Sequence, residues 1–267
     1  MAGRARRVGL SSSSRSADRS PQTRLSAPDS FLTIAEVTPP EYADPAHLAI
    51  SWRHVLVTDN PFRAVRVSPY AFSARITHDS PAVRPTVVVS TRDRNRQAIE
   101  SEVRGAVWNG VTSFLVVQGD DVAGYPAAAQ AADVTRHLVG LSAPEAIEVG
   151  MTAQTRRGAE RRLDAGAQFL VSGPVMDAAA ARRACDRLGD VHVPVYLALI
   201  PPFSPAWVSR MAQLGVEPPA AVGRSRDEGW AIASATRDAA RALGFSGVVL
   251  MGLHLRTLDE ASERLGE

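Results

Sequence analysis

The chain has 267 residues, of which 45% are hydrophobic and 22% charged, the balance of a packed globular protein. All 30 basic residues are arginine, which excludes Schiff-base, pyridoxal phosphate and P-loop lysine chemistry. Residues 1–30 hold six of the arginines and two acids, so the rest carries 24 arginines against 26 acids and lacks the basic stripe of a nucleic-acid-binding surface.

Residues 1–30 are Ser/Arg-rich and aperiodic, and read as a disordered tail. Arg6-Arg7 leads into a serine run and not an apolar segment, so no twin-arginine export signal is expected and the location is read as cytoplasmic. No apolar run reaches the ~18 residues of a membrane span. The lone Cys185 rules out an internal disulfide, and the scattered histidines suggest no metal site.

From residue 31 to 267 short β-rich runs alternate with stretches of helical period, the pattern of a parallel sheet with crossover helices in a single domain. Strands are expected at 31–37, 55–58, 86–90, 113–117, 146–151, 168–172, 193–200 and 247–251. Helices are expected at 69–77, 93–109, 127–139, 157–165, 178–188, 205–214, 226–243 and 258–265, with only a short one, 45–52, between the first two strands. Gly110, Gly166, Gly189, Gly215 and Gly244 stand where left-handed helix caps are wanted. Eight strands with their helices predict a (β/α)₈ TIM barrel; a doubly wound sheet lacks its Gly-x-Gly-x-x-Gly after strand one. No further domain is expected after Glu267.

Ligands of such a fold bind beyond the carboxyl ends of the strands, so the strand tips carry the candidates. Glu36 ends strand one just before Pro39-Pro40, and a carboxyl desolvated in a barrel mouth has a raised pKa suited to proton transfer. A buried Glu paired with an arginine is the plainer alternative. Strand two ends in Thr58-Asp59-Asn60-Pro61, either a ligand-facing tip or an ordinary turn. Strand three ends in Ser90-Thr91-Arg92-Asp93-Arg94-Asn95-Arg96, where Asp93 reads as an N-cap or site acid and the arginines as candidate phosphate partners. Strand four ends in Gln118-Gly119-Asp120-Asp121, where the glycine allows close backbone approach to a ligand. His254, beyond strand eight, also falls at the mouth.

These blocks resemble the methylenetetrahydrofolate reductase family, in Ile34-Ala35-Glu36-Val37-Thr38-Pro39-Pro40, Val57-Thr58-Asp59-Asn60-Pro61, Ser90 to Arg96, and Val117-Gln118-Gly119-Asp120. The resemblance continues through Arg162-Leu163-Asp164-Ala165-Gly166-Ala167, Pro174-Val175-Met176-Asp177, Leu199-Ile200-Pro201-Pro202 and Glu228-Gly229. It implies a (β/α)₈ barrel that reduces 5,10-methylenetetrahydrofolate to 5-methyltetrahydrofolate with NAD(P)H and FAD. By it, Glu36 matches the acid that protonates the folate N10, and Asp120 the acid beside the flavin and pterin rings. Thr58, Asp59, Ser90, Thr91, Gln118, Gly119 and Arg162 match positions on the flavin side, and Gly173 stands where the family contacts the folate, while His254 is read on the folate side from its position at the mouth alone.

The chain departs from the family pattern in three places. Strand five runs into Met151-Thr152-Ala153-Gln154-Thr155-Arg156-Arg157-Gly158, where members carry Tyr-Pro-x-x-His and a longer loop on the flavin's adenosine half. Strand six ends in Ser172-Gly173, where members place a Gln on the pterin. The first β/α unit is short. A flavin-independent or substrate-shifted relative is therefore one alternative, and a non-catalytic barrel binding folate, nucleotide or a protein partner is another.

Overall fold

The computed structural model describes residues 24–41, 52–120, 129–141, 146–253 and 257–265. Eight strands alternate with helices in chain order: β1 (Leu32–Val37), β2 (His54–Val57), α1 (Pro69–Asp79), β3 (Arg84–Ser90), α2 (Arg96–Trp108), β4 (Ser113–Val117) and α3 (Ala131–Val139). Then come β5 (Glu148–Ala153), α4 (Arg156–Asp164), β6 (Phe169–Ser172), α5 (Ala178–Leu188), β7 (Val195–Leu199), α6 (Pro205–Gln213), α7 (Arg226–Ala242), β8 (Gly247–Leu250) and α8 (Leu258–Leu265). Each strand pairs in parallel with its sequence neighbours, and β8 pairs with β1 through Ala35↔Leu250, so the sheet closes into the expected (β/α)₈ barrel. The anticipated helix at 45–52 lies outside the described residues, apart from Trp52 at its end.

Local chemistry sets the element boundaries. Runs such as Thr86-Val87-Val88-Val89 are stiff at χ1 and suit strands. Five helices open on a side chain that accepts from the backbone N–H three residues on: Asn95 for α2, Thr155 for α4, Asp177 for α5, Ser204 for α6 and Ser225 for α7. The cap of α2 is thus Asn95, not Asp93. Asn95 is extended and reaches Ala98 N–H at 2.9 Å, whereas Asp93 sits in the preceding turn with φ 57°. All five glycines anticipated as caps have positive φ.

Side-chain alternation along the strands separates two cores. One lies between strands and helices, with Val55, Val87, Val116, Val149, Leu170 and Val248 among its members. The other fills the barrel, with Leu32, Ile34, Leu56, Leu115, Phe169 and Tyr196. The Phe169 ring lies where a Cβ on Gly150 would be and meets Tyr196 edge-on, with centroids 6.1 Å apart. Large and small residues thus interdigitate inside the barrel, as close packing demands.

Within the stretch read as a disordered tail, residues 24–30 have a defined place in the fold. Leu25 is 4% exposed and belongs to the barrel-interior core. Its N–H and that of Ser26 donate to the two oxygens of Glu148 at 3.1 and 2.8 Å, and its carbonyl accepts from the Tyr196 hydroxyl at 2.9 Å. Glu148 and Tyr196 are buried at the starts of their strands, so this segment stops the amino-terminal end of the barrel. One apolar residue with two buried polar anchors suffices, which is why composition alone conceals it.

Candidate active site at the barrel mouth

A cavity of about 780 Å³ opens at the carboxyl ends of the strands. Its walls continue the inward-facing register: Glu36 and Thr58 from β1 and β2, Val88 and Ser90 from β3, Leu115 and Val117 from β4. Thr152 and Gln154 follow from β5, Val171 and Gly173 from β6, Ala198 from β7 and Met251 from β8. Side chains that alternate along a strand share one face, so the apolar barrel interior grades into a polar rim. A volume of this size suits one extended small molecule.

Glu36 is the acid with the special environment. It is half-buried in the barrel wall, and this desolvation raises its pKa to about 7, opposed by one hydrogen bond from Gly252 N–H to Oε1 at 3.3 Å. Among the described residues no arginine neutralises it, so the plainer reading of a buried Glu paired with an arginine does not describe this residue. Gly252 takes φ 75°, and Trp207 of α6 lies 2.6 Å from where its Cβ would be, so only glycine brings that N–H to Glu36.

Asp120 sits differently. It lines the rim but is exposed, and its Oδ2 accepts Phe62 N–H at 2.8 Å. Phe62 has φ 56° inside the short 3₁₀ turn Pro61–Arg63, so Asp120 steadies the loop after β2. Asp59 lines the cavity too, yet its oxygens accept from Arg94 at 2.6 and 3.1 Å and from Ser90 N–H at 3.1 Å. Burial raises its pKa and Arg94 opposes that shift. Arg94 also lies 5.6 Å over the Tyr70 ring, so this pair joins the tips of β2 and β3 to α1. Thr58 donates to Thr38 Oγ1 at 3.1 Å. Gly119 has φ 83°, and a Cβ there would collide with Ser90 Oγ, so strands three and four meet over this glycine.

Three residues anticipated at the cofactor lie outside the cavity lining. Gln118 holds the entry to α3, its Nε2 donating to Ala129 O at 3.2 Å and its Oε1 accepting Ala131 N–H at 3.3 Å. Arg162, on α4, points its Nε at Thr152 O at 3.4 Å. Thr91 is fully buried, and its N–H donates to Val117 O at 3.0 Å. His254 lies outside the described residues. Gln154 and Thr152 were not singled out by sequence. The signal was alternation beyond the expected end of strand five, which runs two residues further, to Ala153.

The residues assigned to FAD do not form one grip. Thr58, Asp59, Ser90, Gly119 and Asp120 line the mouth, but Asp59 is held by Arg94 and Asp120 by the β2 loop. Gln118 and Arg162 support backbone elsewhere. Among the described residues, five of the eight positions matched to the flavin side therefore border one mouth, and Thr91, Gln118 and Arg162 do not.

The fold and mouth define a (β/α)₈ barrel with a carboxyl-lined cavity. No protein-family model matches the chain, and no curated protein does. Among solved structures it is similar to 2,3-dimethylmalate lyase, a member of the PEP mutase/isocitrate lyase superfamily. The TM-score is 0.52 at 16% identity, covering 90% of this chain and 81% of that one. At that identity the likeness shows the barrel fold alone. A designed cube-shaped, porous protein cage is also similar, with a TM-score of 0.47 and 11% identity over 88% of this chain and 70% of that one. Among the described residues no helix is long and apolar enough to cross a membrane.

Proposed function

We propose that the barrel is an oxidoreductase of the methylenetetrahydrofolate reductase type, in which NAD(P)H and a reduced folate meet in the mouth and hydride passes between them directly. The observation that carries this reading is Glu36: a carboxyl with a pKa near 7, on the wall of a cavity whose floor is apolar. A group that is protonated in part at neutrality can donate to a weakly basic amine nitrogen. Glu36 gives its proton to N10 of 5,10-methylenetetrahydrofolate, the C–N10 bond breaks, and the methylene carbon becomes an N5 iminium. Hydride from C4 of the dihydronicotinamide adds to that carbon, leaving 5-methyltetrahydrofolate, oxidised NAD(P)⁺ and the Glu36 carboxylate, which takes a proton from water.

The sequence blocks support the folate chemistry, and the dispersal of the flavin-side residues supports the flavin-free form. Asp120 acts here through the β2 loop and not as an acid on the ring. The experiment is NADH and NADPH oxidation with 5,10-methylenetetrahydrofolate by the purified protein, which is expected to be colourless. Glu36→Gln is expected to lower kcat by ~10²–10⁴. An unchanged rate would remove Glu36 as the acid, and a yellow protein with bound flavin would overturn the flavin-free form. Absence of turnover with both nucleotides would favour a non-catalytic binding barrel.

A further inference from the structure

Gln154 has features that neither the barrel's stability nor Glu36 explains. It lies two residues beyond Thr152 on the inward-facing side of the β5 exit, and both line the mouth. In a closed ring of eight strands β5 is opposite β1, so Gln154 and Glu36 belong to opposite walls. Its Cγ, Cδ and Nε2 lie 3.0, 3.1 and 3.3 Å from where a Cβ on Gly173 would stand. Gly173 does not have positive φ, so its backbone conformation does not call for glycine. The room it leaves is taken by the Gln154 side chain.

The Gln154 carboxamide makes no hydrogen bond within the described residues, and it is not hidden from solvent. It also borders a smaller cavity of about 170 Å³ behind β6 that includes Arg187 and Glu217. An exposed amide laid along a glycine, in a mouth that Leu115, Val171 and Ala198 also line, offers one N–H donor and one carbonyl acceptor side by side. That pair is complementary to the N–H and C=O of a lactam or imide in a flat ring. An apolar floor accepts the ring's face, and the edge must then be satisfied in plane.

We infer that Gln154 is the residue that selects the ligand of this mouth, by pairing its carboxamide with the cis-amide edge of a planar nitrogen heterocycle. This rests on the reading of the mouth as a ligand site facing Glu36, and it names the chemistry recognised on the wall opposite the acid. Gly173 is the positioning partner, because it holds open the space in which the amide lies. Pteridine and isoalloxazine rings both carry such an edge.

The test is binding, without turnover, of 6-methylpterin and of lumichrome to the full chain, followed by calorimetry. Lumichrome methylated at the imide nitrogen and 6-methylpterin methylated at its lactam nitrogen serve as edge-blocked controls. The unmodified compound that binds identifies the ring class. Gln154→Leu and Gly173→Ala are each expected to weaken that binding by about tenfold to a hundredfold, with thermal midpoints near that of the parent chain. The double variant is expected to lose no more than the worse single one, because both changes remove the same contact. The inference is overturned if neither compound binds, if edge-blocked compounds bind equally well, if Gln154→Leu leaves affinity unchanged, or if the two losses multiply. A protein that passes these binding tests yet fails to oxidise NADH keeps the inference and loses the reductase reading. An active reductase whose folate affinity ignores Gln154→Leu does the reverse.

Discussion

A carboxyl that titrates near neutrality has consequences for rate and stability that run in one direction. Glu36 must be protonated to act as an acid, so kcat is expected to fall as pH rises through about 7, as a pH–rate profile will read. The folded-state pKa lies above the ordinary glutamate value of 4.5, so between 4.5 and about 7 the folded chain binds more protons than the unfolded one. The stabilisation is complete below that window and is lost as pH rises through it. Glu36→Gln removes this dependence, and urea unfolding should show the variant more stable than the parent by ~1–3 kcal/mol at pH 8 and equal to it at pH 4. No gain at pH 8 would mean that the Glu36 carboxyl is well solvated. Position at a strand tip made this residue legible in sequence. The partners of Asp120 and Asp59 were not, because Phe62 and Arg94 reach them across loops from other strands.

At the scale of elements, polar side chains join neighbouring strand ends, and each closed contact removes a candidate from ligand binding. Gln118 illustrates this, since it holds the entry to α3; Asp177 shows the same economy, capping α5 through Ala180 N–H at 2.7 Å while accepting Ala220 N–H at 2.7 Å. A sequence shows the capping residue type but not which of two nearby candidates sits extended at the boundary, as Asn95 and Asp93 show. The segment 24–27 is the counterpart at the opposite end of the barrel. Leu25→Ala leaves a void against Phe169 and Tyr196 and is expected to cost ~2–4 kcal/mol in chemical denaturation, with the mouth's activity retained. A loss below half a kcal/mol would mean that the segment does not stop the barrel in solution.

For the whole molecule, closure depends on the β8–β1 seam, where Gly247 pairs with Leu32. A Cβ at Gly247 would meet the Leu32 carbonyl and lie 2.9 Å from Tyr196 Cδ1. Gly247→Ala must therefore push the seam apart, and an expected loss of ~1–3 kcal/mol would appear as a lowered thermal midpoint. An unshifted midpoint would show that the seam yields freely.

The sequence by itself determined the number and order of the β/α units, because alternation of period two and 3.6 is written into local residue order. It also placed Glu36 at the ligand-binding end, since strand ends are legible wherever an apolar run meets prolines or glycine. Which acids stay available, where the tail docks, and that Gln154 fills the space over Gly173 were decided only by the closed barrel. Those depend on pairs brought together from distant strands, and hydrogen-bond partners separated by tens or hundreds of residues leave no local pattern.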